Sequence, residues 1–262
     1  MTNALTVGSL FAGIGGFDLG LERAGFDIAW QVEIDPYCQR VLAKHWPAVT
    51  RYGDIREVDW HTVEPVDLLC GGFPCQDISL AGKGAGLTGE RSGLWFEYVK
   101  AIEVLRPHYI LIENVSALRS RGLDQVLGSL TALGYDAEWH CIPACAVGAP
   151  HRRDRVWIVA HASCAGRRSR SQSSSTRQEI AHRSIEMADA ERMRKLQPQG
   201  SQCHEWRRPS DCSWWSLEPE LGRVAYGVPA RVDRLRALGN AVVPQIAEMI
   251  GAWILLREEV SI

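Results

Sequence analysis

The stretch LTVGSLFAGIGGF, residues 5–17, gives the first indication of the fold. It begins as a short β-rich run and ends in the glycine-rich turn 12–16, and a helical pattern then continues to Gly25. Strand, glycine turn and helix form the first unit of nucleotide-binding α/β sheets, in which glycines let a ligand approach the helix N-terminus. The turn is not the GxGxxG of dinucleotide folds, so by itself it is weak evidence.

The next predicted strand, residues 28–33, ends in Glu33. A carboxylate about twenty residues beyond the glycines occupies the position that accepts ribose hydroxyls in such folds. The alternative is an ordinary exposed acid at a strand end, which the placement makes the weaker interpretation. Ile34 could cover an adenine face, and Asp54 with Ile55 could offer an acceptor and a backbone N–H to an adenine edge, although Asp54 alone is only a turn residue.

A second glycine turn, GGFPCQDIS at residues 71–79, follows the apolar run 66–70. The glycines allow a sharp turn after a buried strand, and Pro74 fixes the approach of the chain to Cys75. Loops at the carboxyl ends of strands carry the chemistry of open α/β sheets, so Cys75 is a candidate nucleophile. A buried loop cysteine is an equally weighted alternative on this stretch alone.

Two later stretches add candidate site residues. The run 109–112 has no alternation, which predicts a central strand covered on both faces, and it leads into Glu113. Such an acid is usually paired or solvated, but beside a nucleophile it could have a raised pKa and donate a proton. Arg153 and Arg155 precede the strand 156–160 and would share one face of an extended chain, where they could clamp a phosphate or a base edge. Surface arginine pairs are common, so this pattern is only suggestive.

Composition limits the function classes. The chain has 262 residues and a formal net charge of −2, but residues 161–210 hold ten Lys/Arg against five Asp/Glu. That Ser-, Arg- and Gln-rich region, with tryptophans near its end, fits either a nucleic-acid surface or a partly disordered insertion. Eight irregularly spaced cysteines without a signal peptide predict reduced thiols in the cytoplasm and no metal site. No membrane-length apolar run is expected, because Glu248 and Gly251 interrupt the segment 246–256.

The chain is predicted to end in a helix that starts at about residues 238–244. Its apolar face would consist of Ile246, Met249, Ile250, Trp253 and Ile254.

Six motifs occur in an order that resembles the DNA (cytosine-5)-methyltransferase family of bacterial and phage type. They are Phe11-Ala-Gly13-Ile-Gly15, Glu33, Pro74-Cys75-Gln76, Glu113-Asn114-Val115, Arg153-Asp-Arg155 and Gly239-Asn240-Ala241-Val242. The resemblance covers residues 5–160 and 222–257. It implies an α/β fold, namely a Rossmann-like S-adenosylmethionine-dependent methyltransferase sheet with helices on both faces. It further implies a catalytic and cofactor-binding domain (1–160), a short and partly flexible target-recognition region (161–221), and a C-terminal segment (222–262) whose helix returns to the catalytic domain.

The resemblance also implies roles for individual residues. Cys75 would add to C6 of a flipped DNA cytosine, Glu113 would hydrogen bond the N3 edge, and Arg153 and Arg155 would hold the nucleotide and help position Glu113. Gln76 and Ser79 would contact DNA. The S-adenosyl-L-methionine contacts would be Phe11, Gly13, Gly15, Glu33, Ile34, Asp54, Ile55, Leu94, Asn240 and Ala241.

The implied partner is double-stranded DNA, with a cognate restriction endonuclease in the same system as a further candidate. We expect a monomer with no membrane association. His151 stands where the family usually has Gln, and Asp154 where Glu is common, but the spacing of Arg153 and Arg155 is kept.

Three alternatives remain open on the sequence. The tRNA-directed branch of the same family shares the catalytic loop, but no Cys-Phe-Thr element typical of it is present in the linker region. A catalytically silent DNA-binding relative would have no reason to keep Cys75, Glu113 and Arg153. A generic small-molecule methyltransferase would have no use for the motif Pro74-Cys75-Gln76.

Overall fold

A computed structural model describes residues 4–74, 93–162 and 231–260. These residues form a seven-stranded sheet in the order β3-β2-β1-β4-β5-β7-β6. Neighbouring strands are parallel except that β7 runs antiparallel to both β5 and β6. The strands are β1 (Thr6–Leu10), β2 (Asp27–Val32), β3 (Thr50–Tyr52), β4 (Leu68–Gly71), β5 (Tyr109–Val115), β6 (Tyr135–Ile142) and β7 (Arg155–Ala162).

Seven α-helices are described on the two faces of this sheet. They are α1 (Gly16–Ala24), α2 (Pro36–His45), α3 (Leu94–Leu105), α4 (Leu118–Arg121), α5 (Leu123–Ala132), α6 (Arg231–Asn240) and α7 (Pro244–Val260). One core cluster packs α3 and α5 against the sheet, and a second packs α1 and α7 against the opposite face. Helices on both faces of a largely parallel sheet confirm the predicted Rossmann-like methyltransferase fold.

The centre of the sheet follows from its sequence. All but the last residue of β5 are buried, and β5 lies between β4 and β7, as its continuous apolar run predicts. At the carboxyl ends of the parallel strands, Leu10 pairs with Val32 on one side and with Gly71 on the other. The segments that follow β1, β2 and β4 therefore leave the sheet at the same edge.

Helix α7 packs on α1 through small residues. A Cβ on Gly20 would lie 2.3 Å from the Pro244 carbonyl oxygen, and one on Gly251 would lie 3.0 Å from the Cβ of Ala24. Ile246, Ile250 and Ile254 are buried, as the apolar pattern predicts. The prediction for Met249 is wrong, since 44% of it is exposed, because the helix contacts α1 along a narrower stripe than its composition suggests.

Among the described residues, one helical stretch, Val232–Glu258, is long and apolar enough to cross a membrane by length and composition alone, contrary to the expectation from the sequence. Residues 241–243 interrupt the helix between α6 and α7, and the buried isoleucines of α7 contact the same core as Phe17 and Leu21 of α1. Packing within the sheet domain therefore accounts for these isoleucines, whereas Leu235, Leu238 and Leu256 of the same stretch are exposed.

Candidate functional site

The glycine turn and Glu33 form one side of the site. Gly13 and Gly15 have positive φ angles of 59° and 85°, and α1 begins directly after Gly15, which as N-cap has no side chain to satisfy the first N–H groups. Glu33 Oε2 accepts a hydrogen bond from the Gly13 N–H at 2.7 Å, and its Oε1 accepts one from the Asp35 N–H at 2.8 Å. Burial raises the pKa of Glu33 despite these two hydrogen bonds.

Phe11 immediately precedes this turn and has a φ of 51°, which is uncommon for a residue with a Cβ. Its ring lies 6.4 Å from that of Tyr98 on α3, the helix that Leu94 begins. Phe11 and Leu94 both pack against the same core cluster. The structure therefore brings these two predicted cofactor contacts to the side of the sheet that carries α3.

Ile34 and Asp54 flank Glu33. Ile34 is 61% exposed although it is a large apolar residue, and the Glu33 N–H donates to the Tyr52 carbonyl, which places the segment after β3 beside Glu33. Ile55 is buried at the start of a 3-10 turn, and Asp54 caps that turn. The Asp54 carboxylate is not a free acceptor, because it pairs with Arg56, whose hydrogen bonds lower its pKa.

The linker between α6 and α7 lies against the glycine face of α1. A Cβ on Gly16 would be 2.6 Å from the Val242 carbonyl oxygen. Asn240 ends α6 and Ala241 begins this linker, so both lie one to two residues from Val242, whose carbonyl contacts the first turn of α1. Helix α6 also contacts the segment after β2: Arg236 is 3.8 Å from the carboxylate of Asp35, which lies two positions after Glu33.

Glu113 lies within β5 and forms the second part of the site. It is 9% exposed, and its Oε1 is 2.9 Å from Nε of Arg155 at the start of β7. Burial raises the pKa of Glu113, whereas the positive charges of Arg155 and Arg153 lower it, and burial has the larger effect. The result is a carboxyl group that keeps its proton to higher pH than an ordinary glutamate and has one oxygen fixed by an arginine.

The segment that leads to Cys75 is held against Glu113. A Cβ on Gly72 would lie 3.0 Å from Glu113 Oε2, so only glycine leaves this oxygen unobstructed. Asn114 is buried and donates from Nδ2 to the Phe73 carbonyl at 3.1 Å, and the Phe73 ring packs on Trp95 at 5.2 Å. Cys75, Gln76 and Ser79 lie outside the described residues, which end this segment at Pro74.

Arg153 does not share a face with Arg155. Its φ of 37° turns the chain before β7 begins, so the extended conformation predicted for residues 153–155 is wrong. Nη2 of Arg153 donates to the carbonyls of Gly239 at 2.9 Å and Ala241 at 2.7 Å. Arg155 alone contacts the Glu113 carboxylate, and Arg153 connects the same edge of the sheet to the linker before α7.

A row of buried polar side chains crosses the sheet beneath this site. In register, Ser9 of β1 pairs with Gln31 of β2 and with Cys70 of β4. Asp18 of α1 covers the row: its Oδ2 accepts from the Ser9 hydroxyl at 3.1 Å and its Oδ1 from Gln31 Nε2 at 2.7 Å. Ser9 lies two positions before Phe11, and Gln31 lies two positions before Glu33. The row therefore supports the ends of β1 and β2, from which these two candidate site residues follow.

Burial dominates the electrostatics of this row. It raises the pKa of Asp18 to about 6, although hydrogen bonds from Gln31, the backbone and Ser9 oppose the shift. Burial also raises the pKa of the Cys70 thiol strongly, and hydrogen bonding with Ser9 opposes that shift. Among the described residues, Gln31 Oε1 has no hydrogen-bond partner. Sequence reasoning missed this row, and it named Asn114 only as part of a motif, without a role. The signal for the row was Ser9 and Gln31, each a polar residue within a largely apolar strand.

This geometry can be compared with known proteins. Residues 5–208 match the family of C-5 cytosine-specific DNA methylases. The chain belongs to this family. The resemblance inferred from the six ordered motifs is thereby confirmed.

Individual DNA methylases resemble only part of the chain. Type II methyltransferase M2.BsuMI of Bacillus subtilis is 39% identical over 164 residues, which cover 60% of this chain and 42% of that protein. Type II methyltransferase M.HhaI of Haemophilus parahaemolyticus is 32% identical over 154 residues, which cover 57% of this chain and 47% of that protein. The chain thus spans less than half the length of these relatives.

A solved structure supports the fold assignment. A protein of E. coli, described as a DNA modification methyltransferase encoded within a prophage, superposes with a TM-score of 0.52 and 26% identity. The match covers 61% of this chain and 47% of the other.

A DNA methylase requires a methyl donor, and the residues of this site fit a nucleoside-containing one. The α1 N-terminus offers uncapped N–H groups to an anion, Glu33 offers carboxylate lone pairs to hydroxyls, and the exposed Ile34 offers an apolar surface to a base.

Proposed function

We propose that this protein is a DNA (cytosine-5)-methyltransferase that transfers the methyl group of S-adenosyl-L-methionine to C5 of a cytosine flipped out of duplex DNA. The reaction proceeds through a covalent bond between Cys75 and C6 of the base. The observation that supports it best is the buried Glu113 carboxyl, which is oriented by Arg155 and lies against the Gly72–Pro74 segment that directly precedes Cys75. A proton donor next to a nucleophile is what this chemistry requires.

Glu113 would act on the N3 edge of the cytosine. When the Cys75 thiolate adds to C6, electron density moves onto N3, and a proton delivered there stabilises the resulting enamine. A glutamate whose pKa is raised by burial carries that proton, and Arg155 fixes one of its oxygens so that the other can face the base. Gly72 leaves space at this second oxygen.

The remaining steps return the enzyme to its starting state. Bound S-adenosyl-L-methionine would supply the electrophilic methyl group that C5 attacks; its S–CH3 bond would break and leave a neutral thioether. Loss of the C5 proton to a base then expels the Cys75 thiolate, N3 returns its proton to Glu113, and 5-methylcytosine is left. Because the thiolate leaves unchanged, Cys75 is a catalyst and not a reactant.

The proposed cofactor pocket is formed by the glycine turn before α1 and by Glu33 directly after β2. The α1 N-terminus would bind the amino-acid carboxylate, Glu33 the ribose hydroxyls and Ile34 one face of the adenine. The other contacts proposed for this ligand are Phe11, Gly13, Gly15, Asp54, Ile55, Leu94, Asn240 and Ala241. Since Asp54 is paired with Arg56, its contribution would come from the turn it caps.

We further propose the division of the chain into a catalytic domain (1–160), a target-recognition region (161–221) that contacts duplex DNA together with Gln76 and Ser79, and a C-terminal segment (222–262). The protein would act as a cytoplasmic monomer, alongside a cognate restriction endonuclease. Light scattering of the purified chain tests the monomer, and replacement of residues 161–221 by the same region of a relative should change the methylated sequence.

The function is tested by transfer of labelled methyl groups from S-adenosyl-L-methionine to mixed-sequence duplex DNA and, in parallel, to total tRNA. Label in DNA, mapped as 5-methylcytosine at one short motif, is expected. Label only in tRNA would transfer the protein to the RNA-directed branch. DNA binding without transfer to either substrate would indicate a silent relative.

The covalent step is tested by Cys75→Ser, with Cys141→Ser as the matched control because Cys141 is an exposed free thiol on β6. Cys75→Ser should abolish transfer and leave cofactor binding intact, whereas Cys141→Ser should retain both. Duplex DNA that contains 5-fluorocytosine should trap the unmodified enzyme covalently, since fluorine at C5 cannot leave as a proton does. Turnover by Cys75→Ser would refute the mechanism.

A further inference from the structure

The guanidinium of Arg153 bridges two parts of the chain that are far apart in sequence. It donates to the carbonyls of Gly239 and Ala241, which lie 86 and 88 positions later. Gly239 belongs to the last turn of α6 and Ala241 follows the helix, where carbonyl groups have no partner within the helix. A cation with several donors satisfies both carbonyls and is favoured at the negative end of the helix dipole.

The backbone at Arg153 is held in an unfavourable conformation. Its φ of 37° lies in the left-handed region, which residues with a Cβ rarely adopt. Such conformations persist only where the surroundings enforce them, and they concentrate at functional sites. Here the turn separates the two arginines, so that Arg155 reaches Glu113 while Arg153 reaches the linker before α7.

The linker is held from its other side by α1. Gly16 and Gly20 let the backbone carbonyls of Val242 and Pro244 approach so closely that a Cβ would lie 2.6 and 2.3 Å away. The linker therefore lies between the glycine face of α1 and the Arg153 side chain. Two of the proposed cofactor contacts lie here, Asn240 at the end of α6 and Ala241 at the start of the linker, and their position depends on both supports.

We propose that Arg153 is a positioning residue that fixes the junction between α6 and the linker, at Asn240 and Ala241, in the cofactor site and couples cofactor binding to the placement of the Arg155–Glu113 pair. This inference rests on the proposed function, since it concerns the same site. Cofactor contacts that fix the linker would also fix the Arg153 side chain, which is hydrogen bonded to it. Because only one residue separates Arg153 from Arg155, the position of Arg155 would be restricted as well. Coupling of this kind is reciprocal, so occupation of the base site should tighten cofactor binding.

The test compares Arg153→Ala and Arg153→Lys with Arg152→Ala. Arg152 is the matched control because it is a neighbouring arginine that pairs with the half-exposed Asp154 at 3.3 Å. The readouts are the S-adenosyl-L-methionine Kd by calorimetry without DNA, hydrogen exchange of residues 231–244, and the rate of methyl transfer.

Arg153→Ala should weaken cofactor binding by at least about tenfold, the equivalent of one lost charge-assisted hydrogen bond, and should accelerate exchange in residues 231–244. The Kd and the exchange rate of Arg153→Lys should lie between those of Arg153→Ala and the unmodified protein, because an ammonium keeps the charge but not the several fixed N–H donors of a guanidinium. Added methylguanidinium should restore binding to Arg153→Ala only. Arg152→Ala should match the unmodified protein in all three measurements.

The outcomes separate this inference from the proposed function. An Arg153→Ala variant with unchanged Kd and unchanged exchange but slower transfer would overturn the positioning role and assign Arg153 to the substrate alone. Conversely, if the unmodified protein transferred no methyl group while the binding and exchange effects appeared, the positioning role would stand and the catalytic proposal would fail.

Discussion

Asp18 offers the most quantitative test of this structure, through the substitution Asp18→Asn. The side chain is fully buried and its carboxylate accepts hydrogen bonds from Ser9 and Gln31. Asparagine can keep both contacts, because its Oδ1 still accepts from Gln31 Nε2 while its Nδ2 donates to the Ser9 hydroxyl oxygen. The substitution therefore removes the ionisation and leaves shape and hydrogen bonds in place.

The magnitude follows from the pKa of Asp18, which burial raises from the ordinary 3.8 to about 6. Well below pH 3.8 the carboxyl group is protonated in both the folded and the unfolded chain, and its ionisation then does not lower the free energy of unfolding. As pH rises, the unfolded chain releases the proton first, so the free energy of unfolding falls until the folded chain also ionises above pH 6. A shift of about two units corresponds to about 3 kcal/mol.

Asp18→Asn should abolish this loss. The free energy of unfolding of the variant minus that of the unmodified protein should therefore increase by about 2.5 kcal/mol between pH 4 and pH 8, because the remainder of the effect already appears below pH 4. Glu22 on the same helix adds slightly to the shift, and Cys70 is the other titratable group facing Asp18. The contribution of Glu22 is already contained in the raised pKa of Asp18, and the Cys70 thiol stays protonated over this pH range because burial raises its pKa strongly.

Urea unfolding followed by circular dichroism at several pH values measures the effect. Asp27→Asn is the control, since Asp27 is an exposed acid at the start of β2 and its replacement should change stability by less than about 0.5 kcal/mol at any pH. A difference between Asp18→Asn and the unmodified protein that is constant with pH would show that Asp18 ionises normally. The account of burial in this row would then be wrong.

Two further substitutions test the packing that shapes the site. Gly72→Ala would place a methyl group 3.0 Å from Glu113 Oε2, so methyl transfer should fall by about tenfold or more with little change in cofactor Kd, and an unchanged rate would argue that this oxygen does not face the base. Gly20→Ala would place one 2.3 Å from the Pro244 carbonyl oxygen, so α7 must shift and the unfolding free energy should fall by about 1–3 kcal/mol. The same change at Gly128, where a Cβ has open space within 4 Å, should be neutral or stabilising.

Much of the fold could be predicted from the sequence because its signals are local. The glycine turn after β1, the apolar run of β5 and the stop of α1 at Gly25 each follow from hydrophobic periodicity or backbone freedom within a few residues. Family motifs, which are also local patterns, were sufficient to select Glu33 and Glu113 as candidates.

Other features depended on contacts between distant residues. Whether Arg153 faces Glu113 or the linker before α7 is decided by a φ angle of 37° and by carbonyls 86 and 88 positions away. The extended conformation predicted for it was wrong for this reason. Similarly, Met249 fits the helical apolar pattern, yet the close contact of α7 with the glycines of α1 leaves it exposed.

The sequence by itself therefore determined the elements, the family and the types of side chain available for chemistry. Only the tertiary structure decided which of those side chains meet and how strongly each is desolvated. Asp18 shows why: the sequence presents an ordinary acid in the first turn of a helix, and the raised pKa arises from the strands β1 and β2 that exclude water from it. Burial and long-range pairing are properties of the packed chain, because they depend on residues that no local pattern brings together.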